Sequence, residues 1–178
     1  MTCPACTLHL LRDGRTGFFI EISVVKRYDT DMQYVSQSTQ DTQAIAAKLA
    51  QKIRAKMPLA GATIVALRGD LGAGKTTFTQ GFANALGITQ QPKSPTFMLA
   101  KQYAIPGTPY SLWHLDCYRL QSHKDLAALD LHALFIDANN IMLIEWPENI
   151  GDGLPRDRIE VHFEHAGNDK RSITISES

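Results

Sequence analysis

Neither sign of charge is in excess in this sequence. Lysine plus arginine and aspartate plus glutamate number 18 each, so no overall electrostatic pull draws the chain to nucleic acid or a membrane. Any RNA contact must be local or made through a partner. Cysteine is scarce too. Three residues cannot build a disulfide framework, and a reduced, cytoplasmic setting is the natural expectation. No apolar run reaches the roughly 18 residues of a transmembrane helix. Arg12, Asp13 and Arg15 interrupt any apolar core of a secretory signal. Internal repeats and low-complexity segments are missing. What remains is a 178-residue chain with 44% apolar residues, enough for one domain with a core of its own.

Against that background one octapeptide stands out. Residues 69–76 read G-D-L-G-A-G-K-T and fit the phosphate-binding pattern G-x-x-x-x-G-K-[ST]. A chance match in a chain this long has a probability on the order of one per cent. The flanks agree. Ile64, Val65, Ala66 and Leu67 form a short apolar run suited to a buried strand. Phe78, Phe82 and Leu86 recur at helical spacing, and Gly87 stands where a C-terminal cap belongs. Between strand and helix, Gly69, Asp70, Leu71, Gly72, Ala73, Gly74, Lys75, Thr76 and Thr77 are the expected nucleotide contacts. Glycines let successive N–H groups converge on phosphate oxygens, and the helix N-terminus adds its positive dipole end. Lys75 brings a mobile charge for the β- and γ-phosphates, and the Thr76 hydroxyl can ligate Mg²⁺.

The rest of the chain divides at about residue 32. Residues 1–31 read as a loosely ordered extension with one β-prone run, Phe18 to Val25. An alternative is an upstream stretch with Met32 as the functional start. Cys3 and Cys6 have the spacing of half a zinc knuckle, but zinc needs four ligands, and His9 and Cys117 complete no recognised pattern. From Ser38 the pattern is orderly. Ile45, Leu49, Ile53 and Met57 predict an amphipathic helix over 41–56, capped by Ser38 or Thr39 and closed by Pro58. Lys48, Lys52 and Lys56 stripe another face of it and are read as a solvated face. An extended stretch from Thr96 to Tyr103, a turn at 106–109 and a partner strand from Tyr110 to Leu115 follow. A helix is expected over 124–135, and Ile141 to Ile144 is a second fully apolar strand. Ile159–Phe163 and Ser172–Ile175 predict a C-terminal hairpin. Together these give an α/β fold, a P-loop NTPase-type three-layer sandwich with a mixed β-sheet, in a single domain over 32–178.

Hydrolysis needs carboxylates near the phosphates, and in such folds they stand at the C-terminal ends of strands. Asp116 ends one predicted strand and Glu145 another. Asp116 is the expected metal residue, with Thr76. Glu145 polarises the attacking water or supports the metal shell. Thr96 is a candidate γ-phosphate sensor and Trp146 a candidate contact beside the nucleotide. His114 and Arg119 flank Asp116 with structural and functional readings both open.

The blocks GDLGAGKTT (69–77), SPTF (94–97), HLDCYRL (114–120) and LIEWPENI (143–150), in that order and spacing, resemble the TsaE family, also called YjeE. The resemblance covers roughly residues 34–165, and only the first block is generic. It implies a small ATPase, slow without partners, that hydrolyses ATP with Mg²⁺. It also implies a role in making N6-threonylcarbamoyladenosine in ANN-decoding tRNAs, with the TsaD and TsaB proteins as partners and tRNA met through that complex. By the same resemblance the functional positions are Lys75, Thr76, Asp116, Glu145 and Trp146. The extension before residue 32 departs from the family's compact start.

Competing readings are weaker. A small-molecule kinase needs an arginine-bearing lid, and no arginine occurs between Arg119 and Arg156. A GTPase needs an N/T-K-x-D tetrapeptide, which is also missing. A non-hydrolysing, nucleotide-dependent interaction module remains the main alternative.

Overall fold

A computed structural model describes residues 31–57, 60–95, 99–120, 130–167 and 170–177. Cys3, Cys6, the Phe18–Val25 run, Pro58, Thr96 and residues 121–129 lie outside the described residues. The described elements are β1 (Met32–Ser36), α1 (Thr39–Arg54), β2 (Thr63–Arg68), α2 (Lys75–Ala85), β3 (Ala100–Ala104) and β4 (Ser111–Asp116), followed by α3 (Leu131–Ile136), β5 (Asn140–Glu145), β6 (Ile159–His165) and β7 (Arg171–Glu177). Two short 3₁₀ turns, Pro147–Asn149 and Gly151–Gly153, follow β5.

The seven strands form one sheet in the order β1-β7-β6-β2-β5-β4-β3. β2 is parallel to β5 and β6, and β4 is parallel to β5. β1–β7, β6–β7 and β3–β4 are antiparallel. The sheet is therefore mixed, with a parallel centre and antiparallel margins. β5 is buried at every position, and β2 at all but Arg68. A near-continuous apolar run is what a strand covered on both faces requires.

Each face has its own core. On one, α1 and α2 bury Ile45, Leu49, Phe78 and Phe82 against Val65, Leu67, Leu112, Leu143 and Phe163. On the other, Leu131, with Leu134 and Phe135 beside it, packs on Ile64, Ala66, Leu115, Met142 and Ile144. The result is three layers. Consecutive strand residues alternate between the two cores, as the two-residue period of a pleated strand dictates.

The expected elements that fall on described residues are present with shifted ends; of the helix expected over 124–135, Leu131–Ile136 is described. The first helix starts two residues early because Ser38 caps it, its hydroxyl accepting from Asp41 N at 3.0 Å. It ends at Arg54, with Ala55 as its C-cap. Gly87, with φ of 82°, follows the Leu86 cap of α2. The predicted second strand begins at Ala100, after Leu99 at φ 63°. β1 was not expected at all. It is a five-residue edge strand on β7 with alternating exposure, and its five residues carry no apolar run. Of the lysine stripe, Lys52 and Lys56 meet Glu177 at 2.6 and 3.5 Å on the surface.

Candidate functional site: the cleft at the end of the parallel strands

The site is assembled by strand register. Asp116 and Glu145 are register partners at the last positions of β4 and β5, and Leu67 of β2 is the partner of Glu145 on its other side. Neighbouring strands lie about 4.8 Å apart, so the two carboxylates stand side by side. The P-loop leaves β2 one residue beyond Leu67. Three elements distant in sequence thus open onto one edge.

The loop's shape comes from glycine geometry and a close neighbour. Gly69 has φ of 141°, and a Cβ there would lie 2.6 Å from the carbonyl oxygen of Phe163. Any side chain would push the loop off β6. Downstream the Phe78 ring meets the Phe163 ring edge-on, centroids 5.5 Å apart at 86°. β6 therefore holds the loop at its start and through the helix that follows it.

Loop and strand ends enclose a cleft of about 260 Å³, which Leu71, Lys75, Thr76, Ser94, Asp116 and Glu145 help to line. Lys75 is buried, and its Nζ donates to the carbonyls of Gly69 (2.6 Å) and Asp70 (2.8 Å). The same nitrogen stands 4.0 Å from the centroid of the Trp146 ring, a cation–π contact. Burial pushes the Lys75 pKa below the ordinary lysine value, opposed by the negative charges of Glu145, Glu148, Asp116 and Asp70. The Thr76 hydroxyl donates to both oxygens of Glu145, at 3.1 and 3.3 Å. His114 Nε2 lies 2.8 Å from Glu145 Oε1. Asp116 accepts from the Ser94 hydroxyl and, at 3.0 Å, from Tyr118 N. Trp146 takes a left-handed backbone, φ 58°, a conformation a bulky residue holds at a cost of about 1–3 kcal/mol. Its N–H donates to Leu67 O at 3.4 Å, and Tyr118 stacks on its ring, centroids 5.0 Å apart. Those contacts fix the indole beside Lys75.

Lys75, Thr76, Asp116, Glu145 and Trp146 are thus brought together, with Leu71, Gly72, Gly74 and Thr77 also lining the cleft. Gly69 and Asp70 contribute their carbonyls to Lys75 rather than lining the cleft themselves. Ala73 is turned into the core. Arg119 is exposed and does not line the cleft. Thr96 lies outside the described residues. Ser94 and Tyr118 were missed as site residues, although both lie inside the SPTF and H-x-D-x-Y-R blocks. A second cavity of about 90 Å³ borders the loop, between Ser38, Thr39 and Thr42 at the start of α1 and Arg171 on β7. No local pattern links those residues, so only the fold reveals it. Cys117, directly after Asp116, is inert: burial first, then the charges of Asp116, Glu148 and Glu145, push its thiol up to about 12.

Comparison with known proteins places the fold and the family. Residues 36–173 match the family model described as threonylcarbamoyl adenosine biosynthesis protein TsaE. The chain is a member of the TsaE family. It is 41% identical over 113 residues to the Bacillus subtilis tRNA threonylcarbamoyladenosine biosynthesis protein TsaE, covering 64% of this chain and 68% of the relative. The Haemophilus influenzae TsaE is 36% identical over 124 residues, with 70% and 76% covered. A crystal structure of Bacillus subtilis YdiB superposes with a TM-score of 0.66 at 31% identity, covering 85% of this chain and 88% of that one. The TsaE family takes part in tRNA threonylcarbamoyladenosine biosynthesis, and the α/β architecture expected from the sequence is the one this TsaE chain adopts.

Proposed function

We infer that this chain binds ATP with Mg²⁺ at the P-loop cleft and hydrolyses it to ADP and phosphate. It would act in the cytoplasm as a subunit working with TsaD and TsaB in N6-threonylcarbamoyladenosine modification of ANN-decoding tRNAs. The catalytic domain spans 32–178, with residues 1–31 as an extension. One observation carries the reading. The Thr76 hydroxyl, Glu145 and Asp116 place three hard oxygen donors in the same cleft as the P-loop ammonium, and that donor set suits Mg²⁺. Thr76, Asp116 and Glu145 would hold a divalent cation there, which would supply positive charge to offset charge developing on the phosphates.

This chain's own residues supply the rest. Backbone N–H groups of 72–76 and the start of α2 hold phosphate oxygens. Lys75 is poised by the two carbonyls and the indole that now hold it, and an incoming phosphate competes with them for its charge. Glu145, partnered by Thr76 and His114, is the group that orients and accepts a proton from water. Asp116, held by Ser94 and Tyr118 N, faces the metal position. The cavity between the start of α1 and Arg171 shares Gly72, Gly74 and Thr77 with the cleft and is the place this reading gives to the nucleoside.

The test is phosphate release from ATP by the full chain, alone and with TsaD, TsaB and tRNA. Turnover that rises with partners is expected. Equal, negligible release in both conditions would leave a non-hydrolysing interaction module instead.

A further inference from the structure

We propose that His114 is a positioning residue: it donates one hydrogen bond from beneath the sheet edge and so fixes which oxygen of Glu145 faces the cleft. The proposal rests on the ATPase reading above.

Layering along the sheet supports it. On the face covered by α1 and α2, Leu112 and Leu143 belong to the apolar core. Two residues further along β4, on the same face, comes His114, the register partner of Leu143. Two further still comes Asp116, the register partner of Glu145. The face therefore passes from hydrocarbon to imidazole to carboxylates, and the imidazole is fully buried at the boundary.

The hydrogen bond settles the tautomer. A carboxylate only accepts, so the 2.8 Å contact to Oε1 places a proton on Nε2. Nδ1 on the far side of the ring is buried without a hydrogen-bond partner. An orphaned buried polar atom destabilises a fold. An apolar side chain of similar volume would avoid that penalty, so the imidazole earns its place through Nε2 alone.

The consequence is an asymmetric Glu145. Oε1 takes both His114 and Thr76, the latter at 3.1 Å, whereas Oε2 takes Thr76 at 3.3 Å. When the Thr76 hydroxyl turns to another partner, Oε2 is released to the cleft while Oε1 stays tied to β4. His114 is fully buried and does not line the cleft, so it acts through Glu145.

Three variants and one spectrum decide the matter. Glutamine carries its amide nitrogen near the Nε2 position of histidine, asparagine falls short of it, and leucine fills volume without a donor. His114→Leu is expected to lower kcat for ATP, measured with TsaD, TsaB and tRNA, by about 10–100-fold. KM and the affinity for a fluorescent ATP analogue stay at wild-type values. His114→Gln recovers most of the loss. Wild-type kcat in His114→Leu overturns the proposal, and so does equal impairment of the leucine and glutamine variants, which marks a packing role. Should His114→Leu not fold, His114→Gln must exceed His114→Asn in kcat, and equality overturns the proposal. In a ¹⁵N-histidine spectrum of the wild-type chain, the proton is expected on Nε2. Finding it on Nδ1 overturns the proposal whatever the turnover. Wild-type protein that releases no phosphate even with partners sinks the ATPase reading instead, and the spectrum still judges the hydrogen bond.

Discussion

Two clusters of charge in this molecule differ in depth more than in kind. At the cleft, Lys75 is 5% exposed, and Glu145 and Asp116 3% each, with His114 beneath. On the surface, Lys52 and Lys56 meet Glu177, and Arg68 joins Glu148 at 3.1 Å to Glu160 at 2.9 Å. Pairs of the second sort gain little, because water screens them and long side chains lose freedom to hold them. Groups of the first sort lose hydration and recover it only through specific partners. Every buried charge here has such partners: two carbonyls and an indole for Lys75, a hydroxyl and an imidazole for Glu145, a hydroxyl and a backbone N–H for Asp116. Stability alone gives no reason to keep them inside. Depth and partnering of charge, not the number of ion pairs, set the cleft edge of this sheet apart.

If that contrast is right, breaking the deep cluster destroys activity and breaking the shallow one barely registers. The largest effect is expected for Lys75→Ala, with ATP turnover down by about 100-fold or more and nucleotide affinity weakened. Normal phosphate release by that variant would remove the loop from the chemistry. Glu145→Gln keeps volume and hydrogen bonding but not charge. Its turnover should fall by about 100-fold while a fluorescent ATP analogue still binds, and parallel loss of both would instead make Glu145 a binding group. Arg68→Ala unties Glu148 from Glu160 at the surface. Thermal melting should report a loss of about 1 kcal/mol or less, with turnover close to wild type.

Glu177→Gln should be milder still, and its pH dependence has a definite sign. The Lys52 hydrogen bond foremost, against the opposing effect of partial burial, holds the Glu177 carboxyl below the ordinary glutamate value. A depressed folded pKa stabilises above the unfolded value of about 4.3 and loses that contribution as pH falls through the folded one. The stability difference between wild type and Glu177→Gln should therefore be under about 1 kcal/mol at neutral pH and shrink in acid. A difference that grew in acid would contradict the pairing. Smallest of all, Cys117 in the folded chain should resist a thiol reagent at neutral pH, as peptide mapping after labelling would record. Rapid labelling there would show that the strand edge opens.

Much of this contrast was legible before any fold was known. The P-loop, its flanking strand and helix, and the carboxylates at two strand ends are local signals, each carried by residues within a turn or a strand of one another. What stayed hidden is pairing at long range. Ser94 and Asp116 are 22 residues apart, and His114 and Glu145 are 31 apart; nothing in either segment alone names the other. β1 escaped notice because an edge strand needs only one buried flank and so carries half the pattern. Arg171 reaches the loop only because β7 folds back along β6. Trp146 follows the strand end at Glu145, and it is partly buried between Lys75 and Tyr118, because its left-handed backbone turns the ring back over the cleft.

The contact between Gly69 and Phe163 bears on how far the octapeptide is a portable part. The signature is complete by residue 76, but the surface against which it is moulded arrives some ninety residues later in the chain, since Phe163 belongs to β6. A ribosome that has finished the motif has therefore not yet made its template. A fragment ending before Ile159 would carry every signature residue and nothing to shape them, and grafting the eight residues onto another strand–helix junction would transfer the letters without the mould.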